Sequence, residues 1–289
     1  MIDFNDNTTN IVYYASLSLL SICIIGCLLL VLRLILNLKK NNRHRYQVFL
    51  IGLDISIAGC AIVDIATLIM DSNWLLKWLF NIFDFTAFTL VLLSQLEILR
   101  LLEVITNFSE GYLRLIQFLV MSYNIITGGY HLFNGIAFRS LTDDNLFAKW
   151  ARWGIYSWYG GIGIYVISQS CYTAYKIYKH YYGLKSIDKD AMKRQVIAVV
   201  LSITILSFLI IFGMIVLVIL VLVLQKIPSK NGQKVSYCVG AFITFLKYLM
   251  ALAYQSIFNN IIGMCLCRKT IQKPKAVKDL VEGETMKHN

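Results

Sequence analysis

Five ionisable residues lie inside long apolar runs of this sequence, where little water is expected. They are Asp54, Asp64, Asp84, Glu97 and Lys247. A charge at the centre of a bilayer costs about 2.5 to 3.5 kcal/mol on insertion scales, so each of these residues calls for a partner or a purpose. They are the first candidates for ligand binding, ion pairing or a polar path.

Asp84 and Lys247 are the best matched of these residues. Each lies about ten residues into its apolar run from the same membrane face, and at 1.5 Å per residue both reach a depth of about 15 Å. We therefore predict an ion pair between them. The pair has two alternative roles, a structural lock between two helices or a contact with a ligand. Asp64 is a further ligand or ion-pair candidate.

A lysine amine can also condense with an aldehyde such as retinal. The pattern around Lys247 does not favour this chemistry, because no acidic residue occurs one turn before it and the sixth apolar run lacks tryptophan and proline. We expect no cofactor, and no retinal on Lys247. A retinal-binding protein is kept as a minor alternative.

A second group of polar residues lies near the ends of two apolar runs. Glu97, Arg100 and Glu103 are three residues apart, so they share one side of a helix on which the acids can hold the guanidinium. Such a clamp can act as a switch if the arginine is released in another state. Asn259 and Asn260 are further switch candidates, because amides inside a bundle hydrogen-bond between helices.

Other classes of chemistry are poorly supported. The four histidines, His44, His131, His180 and His288, form no recognisable metal set with Asp or Glu and no Ser/His arrangement. We expect no catalytic residues, no bound metal and no enzymatic activity. The net charge of +11 has no accompanying basic helix or aromatic-basic surface outside the apolar runs. We therefore expect membrane lipid rather than nucleic acid as a partner.

The elements that position these residues are membrane-spanning helices. Hydrophobic residues make up 58% of the chain and charged residues 15%, where soluble domains average about 25% charged. Apolar runs of about 20 residues or more span a bilayer as helices. The runs predict an all-α bundle of seven spans: 11–37, 47–70, 74–105, 115–138, 155–183, 196–225 and 237–264.

The distribution of Lys and Arg predicts the orientation, because cytosolic loops carry the positive excess. With the N-terminus outside, only seven of these residues fall on the outer side: Lys77, Arg139, Lys149, Arg152, Lys226, Lys230 and Lys234. The cytosolic side takes seventeen: Lys39, Lys40, Arg43, Arg45, Arg114, Lys176, Lys179, Lys185, Lys189, Lys193, Arg194, Arg268, Lys269, Lys273, Lys275, Lys278 and Lys287. We predict an extracellular segment 1–10, a seven-span domain 11–264 and a basic cytosolic tail 265–289, in a multi-pass protein of the plasma membrane.

Three kinds of residue fit this topology. Asn7 begins an N-glycosylation acceptor on the outer segment. Cys265 and Cys267 lie beside basic residues at the inner end of the last span, a context typical of S-palmitoylation. Tryptophans such as Trp158 are interpreted as interfacial belt residues.

With these motifs in place, the chain resembles a divergent member of the rhodopsin-like, or class A, G-protein-coupled receptor family, of a fungal or protist type. The resemblance covers the topology of nearly the whole length. Leu99-Arg100-Leu101 is similar to the family's Asp-Arg-Tyr in the arginine alone, and Glu97 stands one turn earlier as a replacement acid. Asn259-Asn260-Ile261-Ile262-Gly263 is similar to Asn-Pro-x-x-Tyr without its proline and tyrosine. Asp54 stands about one turn from the position of the family's acidic residue in helix two.

The resemblance implies a receptor that senses an extracellular or membrane-dissolved ligand and signals to a cytosolic partner such as a G protein on the basic inner face. The family's sixth-helix tryptophan and proline, its fourth-helix tryptophan and its outer disulfide are missing. The alternative is a transporter or channel for a small solute or ion, in which Asp54, Asp64, Asp84 and Lys247 line a polar path. The glycine pairs 128–129 and 160–161 are the only candidate breaks in the spans, and neither has a proline.

Overall fold

Seven helices make up the part of the chain that the structure, a computed structural model, describes: residues 6–40, 45–70, 74–106, 110–137, 146–183, 186–224 and 238–263. The helices are α1 (Asp6–Lys40), α2 (Arg45–Met70), α3 (Trp74–Thr106), α4 (Glu110–Ala137), α5 (Leu146–Gly183), α6 (Ser186–Leu224) and α7 (Cys238–Gly263). The predicted all-helical architecture is confirmed. Several helices begin before their apolar runs, since hydropathy detects only the apolar part of a helix. Residues 6–10, assigned to an extracellular segment, are the first residues of α1.

Five of the described helices are long and apolar enough to cross a membrane: α1, α2, α3, α6 and α7. The chain is therefore a multi-pass membrane protein. The two other helices, α4 and α5, do not meet the same criterion within the described residues. In α5 the central residues 155–172 are rich in Gly, Tyr and Ser, which lower hydropathy without adding charge.

The helices pack mainly against their neighbours in the chain, and α3 also contacts α5. Helix α7 closes the bundle, since its side chains bond to α2 and α3 through Asp54 and Asp84 and to α6 through Ser202. Its Tyr248 lies directly over Gly26 of α1, where a Cβ would overlap the ring. Helix α3 therefore lies at the centre, between α2, α4, α5 and α7.

Two glycines that were expected to break helices instead leave space for aromatic rings of neighbouring helices. Both lie within continuous helices, Gly128 in α4 and Gly161 in α5. A Cβ on Gly128 would overlap the Phe85 ring of α3, and one on Gly161 would overlap the ring of Tyr123. Glycine at these positions lets α4 approach α3 and α5 closely.

The outer surface of the bundle is apolar, as contact with lipid tails requires. Large exposed hydrophobic side chains occur on several helices, among them Leu29, Ile126 and Phe208. Serine and threonine hydroxyls are accommodated in these helices because many donate to the carbonyl four residues earlier, at 2.7 to 2.9 Å. A smaller set of polar side chains is buried in the interior of the bundle, and these form the candidate site.

Candidate functional site

The ion pair predicted from depth is present at the centre of the bundle. The Lys247 ammonium on α7 donates to Asp84 Oδ1 on α3. The Tyr159 hydroxyl on α5 donates to the other oxygen, Oδ2. Only 9% of the Lys247 side chain and none of the Asp84 side chain is exposed. One carboxylate thus connects three helices in a place that excludes water.

Aromatic rings complete the surroundings of Lys247. Its Nζ lies 5.1 Å from the centroid of Phe80 and 5.6 Å from that of Phe88, both on α3. Ring faces at this distance attract a cation, most strongly where water is scarce. The ammonium is therefore stabilised by one carboxylate and two ring faces.

An apolar cavity of about 250 Å³ lies beside this cluster. Four helices supply its walls, α3, α5, α6 and α7, with Val91, Val166, Ile210 and Met250 as representative lining residues. Among the described residues of the lining, Lys247 is the only one with a charged side chain, and Asp84 is not part of the lining. The volume is just below the range for small-molecule pockets, about 300 to 1,000 Å³, so it suits a small ligand. The arrangement is an apolar chamber with one cationic donor in its wall.

The acids of α2 also bond to α7, at other levels of the bundle. Thr244 donates to Asp64 Oδ2 at 2.7 Å, and Gln255 donates to Asp54 Oδ2 at 2.9 Å. Asp54 is fully buried, and its Oδ1 has no hydrogen-bond partner in the described part of the chain. The two acids therefore fasten α2 to α7 and lie outside the cavity lining.

Sequence reasoning missed the uncharged members of this interior network. Gln95 of α3 donates to Tyr254 of α7 at 2.8 Å and lies 3.5 Å from the Ser170 hydroxyl of α5. The signal available was the spacing on α7, where Thr244, Lys247 and Tyr254 follow helical periodicity and so share a face. Tyr159 had no such signal, since tyrosines are frequent along α5.

The predicted clamp near the C-terminal end of α3 is present with an additional partner. Arg100 Nη1 lies 3.3 Å from Glu97 Oε2, and Arg100 Nη2 donates to Gln117 Oε1 of α4 at 2.9 Å. The Arg100 side chain is 41% exposed. The side chain of Glu103 is outside the described part. Arg100 thus links α3 to α4, a contact that the linear spacing did not predict.

The prediction that Asn259 and Asn260 both hydrogen-bond between helices in the interior is wrong in part. Asn259 is exposed, while Asn260 bonds within its own helix to the Ser256 carbonyl at 2.7 Å. Asn259 lies on the side of α7 that faces away from the neighbouring helices, whereas the adjacent Phe258 is fully buried. The hydroxyl of Ser256 makes the contact between helices, 2.7 Å from that of Ser202 on α6.

The interpretation of Trp158 as an interfacial residue is also wrong. Its side chain is fully buried, with Nε1 donating to Asn124 Oδ1 of α4 at 3.0 Å. Asn124 in turn donates to Thr89 of α3 at 2.9 Å. A tryptophan in a core needs a partner for its N–H, and Asn124 is that partner.

Some predicted sites fall outside what the structure describes. These are the side chain of Asn7 and the cysteines Cys265 and Cys267. Across the described ranges, no group of three or more His, Cys, Asp or Glu is placed to hold a metal ion. Comparison with protein-family models, with curated proteins and with solved structures finds no match to this chain.

Proposed function

We propose that this protein is a seven-helix membrane receptor that binds a small, mainly apolar ligand in the cavity beside Lys247 and relays a helix rearrangement to a cytosolic partner. The observation that carries the proposal is the cavity itself, which is lined by α3, α5, α6 and α7 and has Lys247 of the buried ion pair in its wall.

A ligand at this position touches the helices that the polar network connects. The cavity wall includes Lys247, and α7 carries bonds to α2, α3 and α6 on either side of it. A ligand shifts a conformational equilibrium only if it binds the two states differently. Contacts with four helices at once supply that difference, because any rearrangement among them changes the cavity.

The topology completes this proposal. In this proposal α4 and α5 cross the membrane with the other five helices, so the two termini lie on opposite sides. The N-terminus is proposed to lie outside, with the C-terminal ends of α3, α5 and α7 at the cytosol. The positive excess of the loops supports this orientation. Arg45, Lys179, Lys193 and Arg194 are exposed at that inner end. A G protein or anionic lipid would meet this face, and the plasma membrane is the proposed location.

Arg100 is the proposed switch on the cytosolic side. It is held by Glu97 on its own helix and by Gln117 on α4. Its considerable exposure leaves it accessible to a partner once these contacts open. Movement of α3, which carries Asp84 at one end of the path and Arg100 at the other, would couple the cavity to the inner face.

The test of the proposal uses photolabelling in lipid nanodiscs with an undecyl diazirine, a probe without a polar head. We expect saturable labelling of cavity residues such as Met214 and Met250. Gly213→Leu should abolish it, because Gly213 lines the cavity and its Cβ would lie 3.6 Å from Leu246, an ordinary contact. Gly160→Leu is the matched control, since a Cβ there meets nothing within 4 Å.

Relay to a partner needs a second measurement. Ligands that compete with the probe should promote G-protein recruitment in cells, and Gly213→Leu should remove that recruitment while Gly160→Leu retains it. Competition without recruitment would argue against a receptor. Labelling that is unaffected by Gly213→Leu would argue against the cavity as the binding site.

Two alternative functions, a transporter and a retinal-binding protein, can be tested by separate experiments. A transporter would use Asp54, Asp64 and Asp84 as a path, yet each carboxylate is bonded to an α7 side chain, as helix-to-helix locks are. A retinal protein would use Lys247, which lines an apolar cavity next to a carboxylate. Solute uptake by proteoliposomes tests the first, and visible absorbance after purification with retinal tests the second.

A further inference from the structure

We infer that the ligand of the Lys247 cavity is an uncharged molecule, an apolar body with a single hydrogen-bond acceptor such as an ester or carbonyl oxygen that binds Lys247 Nζ. This inference rests on the proposed function, because it specifies the ligand class of the same cavity.

Lys247 has a capacity for hydrogen bonding that its surroundings leave partly unused. An ammonium carries three N–H donors. Within the described helices, the Lys247 ammonium has one hydrogen-bond acceptor, Asp84 Oδ1. It also makes cation–π contacts with the faces of Phe80 and Phe88, which use none of its N–H donors in a conventional hydrogen bond. Lys247 is 8% exposed and forms part of the cavity wall. An acceptor that enters the cavity would therefore gain a bond from a buried cationic donor.

The charges around the cavity favour an uncharged acceptor over an anion. Asp84 already balances the charge of Lys247. A second carboxyl, that of Asp64, lies close by, since its Oδ1 would be 3.8 Å from a Cβ on the lining residue Gly240. An anionic ligand would leave the site with an uncompensated negative charge away from water, which is costly. A neutral oxygen accepts the same bond without that cost.

The arrangement disfavours a cationic ligand for a different reason. The one charged group that the described residues contribute to the cavity lining, the Lys247 ammonium, is itself a cation. Asp84, the carboxylate nearest to it, is fully buried outside the lining, and its two oxygens accept from Lys247 and Tyr159. An amine in the cavity would meet the charge of Lys247 before it could reach Asp84.

Four probes of similar length test the ligand class: methyl decanoate, decanoate, decylamine and undecane. They compete with the undecyl diazirine at equal mole fraction in nanodiscs, at a pH at which decanoate and decylamine are charged. We expect methyl decanoate to compete roughly tenfold better than undecane, which corresponds to about 1.4 kcal/mol. It should also compete better than decanoate and decylamine.

The variant that isolates the role of Lys247 is the double substitution Asp84→Asn with Lys247→Met, which leaves neither charge without its partner. In this variant the advantage of methyl decanoate over undecane should disappear while undecane still competes. Tyr159 is retained, and the side-chain carbonyl oxygen of Asn at position 84 can accept its hydrogen bond in place of the carboxylate.

The outcomes separate this inference from the function it rests on. Equal competition by the ester and undecane, better competition by decanoate or decylamine, or an ester advantage that survives in the double variant would overturn the inference and leave the cavity as a binding site. Absence of saturable labelling in the unmodified protein would overturn both.

Discussion

The buried pair of Asp84 and Lys247 predicts a specific pattern of stability in a double-mutant cycle. Their side chains are 0% and 9% exposed, so solvent screens neither charge. Removing one partner of such a pair costs about 3 to 5 kcal/mol, because the other charge stays buried without compensation. The loss of stability caused by Asp84→Asn should fall within this range, since Lys247 then loses its carboxylate partner.

Lys247→Met should lower the free energy of unfolding by somewhat less than Asp84→Asn does. Asp84 keeps the hydroxyl of Tyr159 as a donor after this substitution, whereas the ammonium in Asp84→Asn keeps only ring faces and a weak amide acceptor. Both single variants should nevertheless be clearly less stable than the unmodified protein.

The double variant carries the decisive comparison. With both charges removed, its loss of stability should be smaller than the sum of the two single losses, by about 0.5 to 3 kcal/mol. The free energy of unfolding is measured by denaturation in mixed micelles. Lys77→Met, which removes an exposed lysine from the same helix as Asp84, is the control and should change stability by less than about 0.5 kcal/mol.

Additivity would refute the reasoning. If the loss in the double variant equals the sum of the single losses to within about 0.5 kcal/mol, the two charges do not interact. A Lys77→Met effect as large as that of Lys247→Met would show that loss of any lysine, buried or not, destabilises the protein.

Three further predictions concern other parts of the molecule. Arg100→Ala should weaken coupling to the proposed cytosolic partner while leaving surface expression unchanged, and Glu97→Gln should raise basal signalling because Arg100 is then held less tightly; unchanged signalling in both variants would reject the proposed switch. Trp158→Phe should lower the free energy of unfolding by about 1 to 3 kcal/mol, since Asn124 loses a buried donor, and unaltered denaturation would contradict this. Asn7→Gln should abolish a glycosidase-sensitive shift in electrophoretic mobility, and a tail epitope accessible on intact cells would contradict the predicted orientation.

The helices and the depths of their charged residues could be predicted from the sequence because both depend only on position along the axis of each helix. The apolar runs are longer than a soluble core requires, so their assignment to helices needed no knowledge of neighbours. Asp84 and Lys247 could be matched since each depth follows from counting residues. Arg100 and Glu97 were likewise matched by their spacing within one helix.

Rotation about that axis, and the choice of neighbouring helix, were decided only by tertiary packing. Asn259 and Trp158 illustrate this: the first is exposed where an interior amide was expected, and the second is buried where an interfacial ring was expected. In a membrane helix both the lipid-facing and the core-facing sides are apolar, so hydropathy carries little information about which side faces inward.

The sequence by itself therefore determined that this is a helical membrane protein with a few costly interior charges, because the cost of a charge in a bilayer applies wherever the helix packs. Only the tertiary structure decided that Asp84 also binds Tyr159, that Arg100 reaches Gln117, and that four helices leave a cavity beside Lys247. Those contacts join helices far apart in the chain, and a cavity exists only where side chains of several helices fail to fill the space between them.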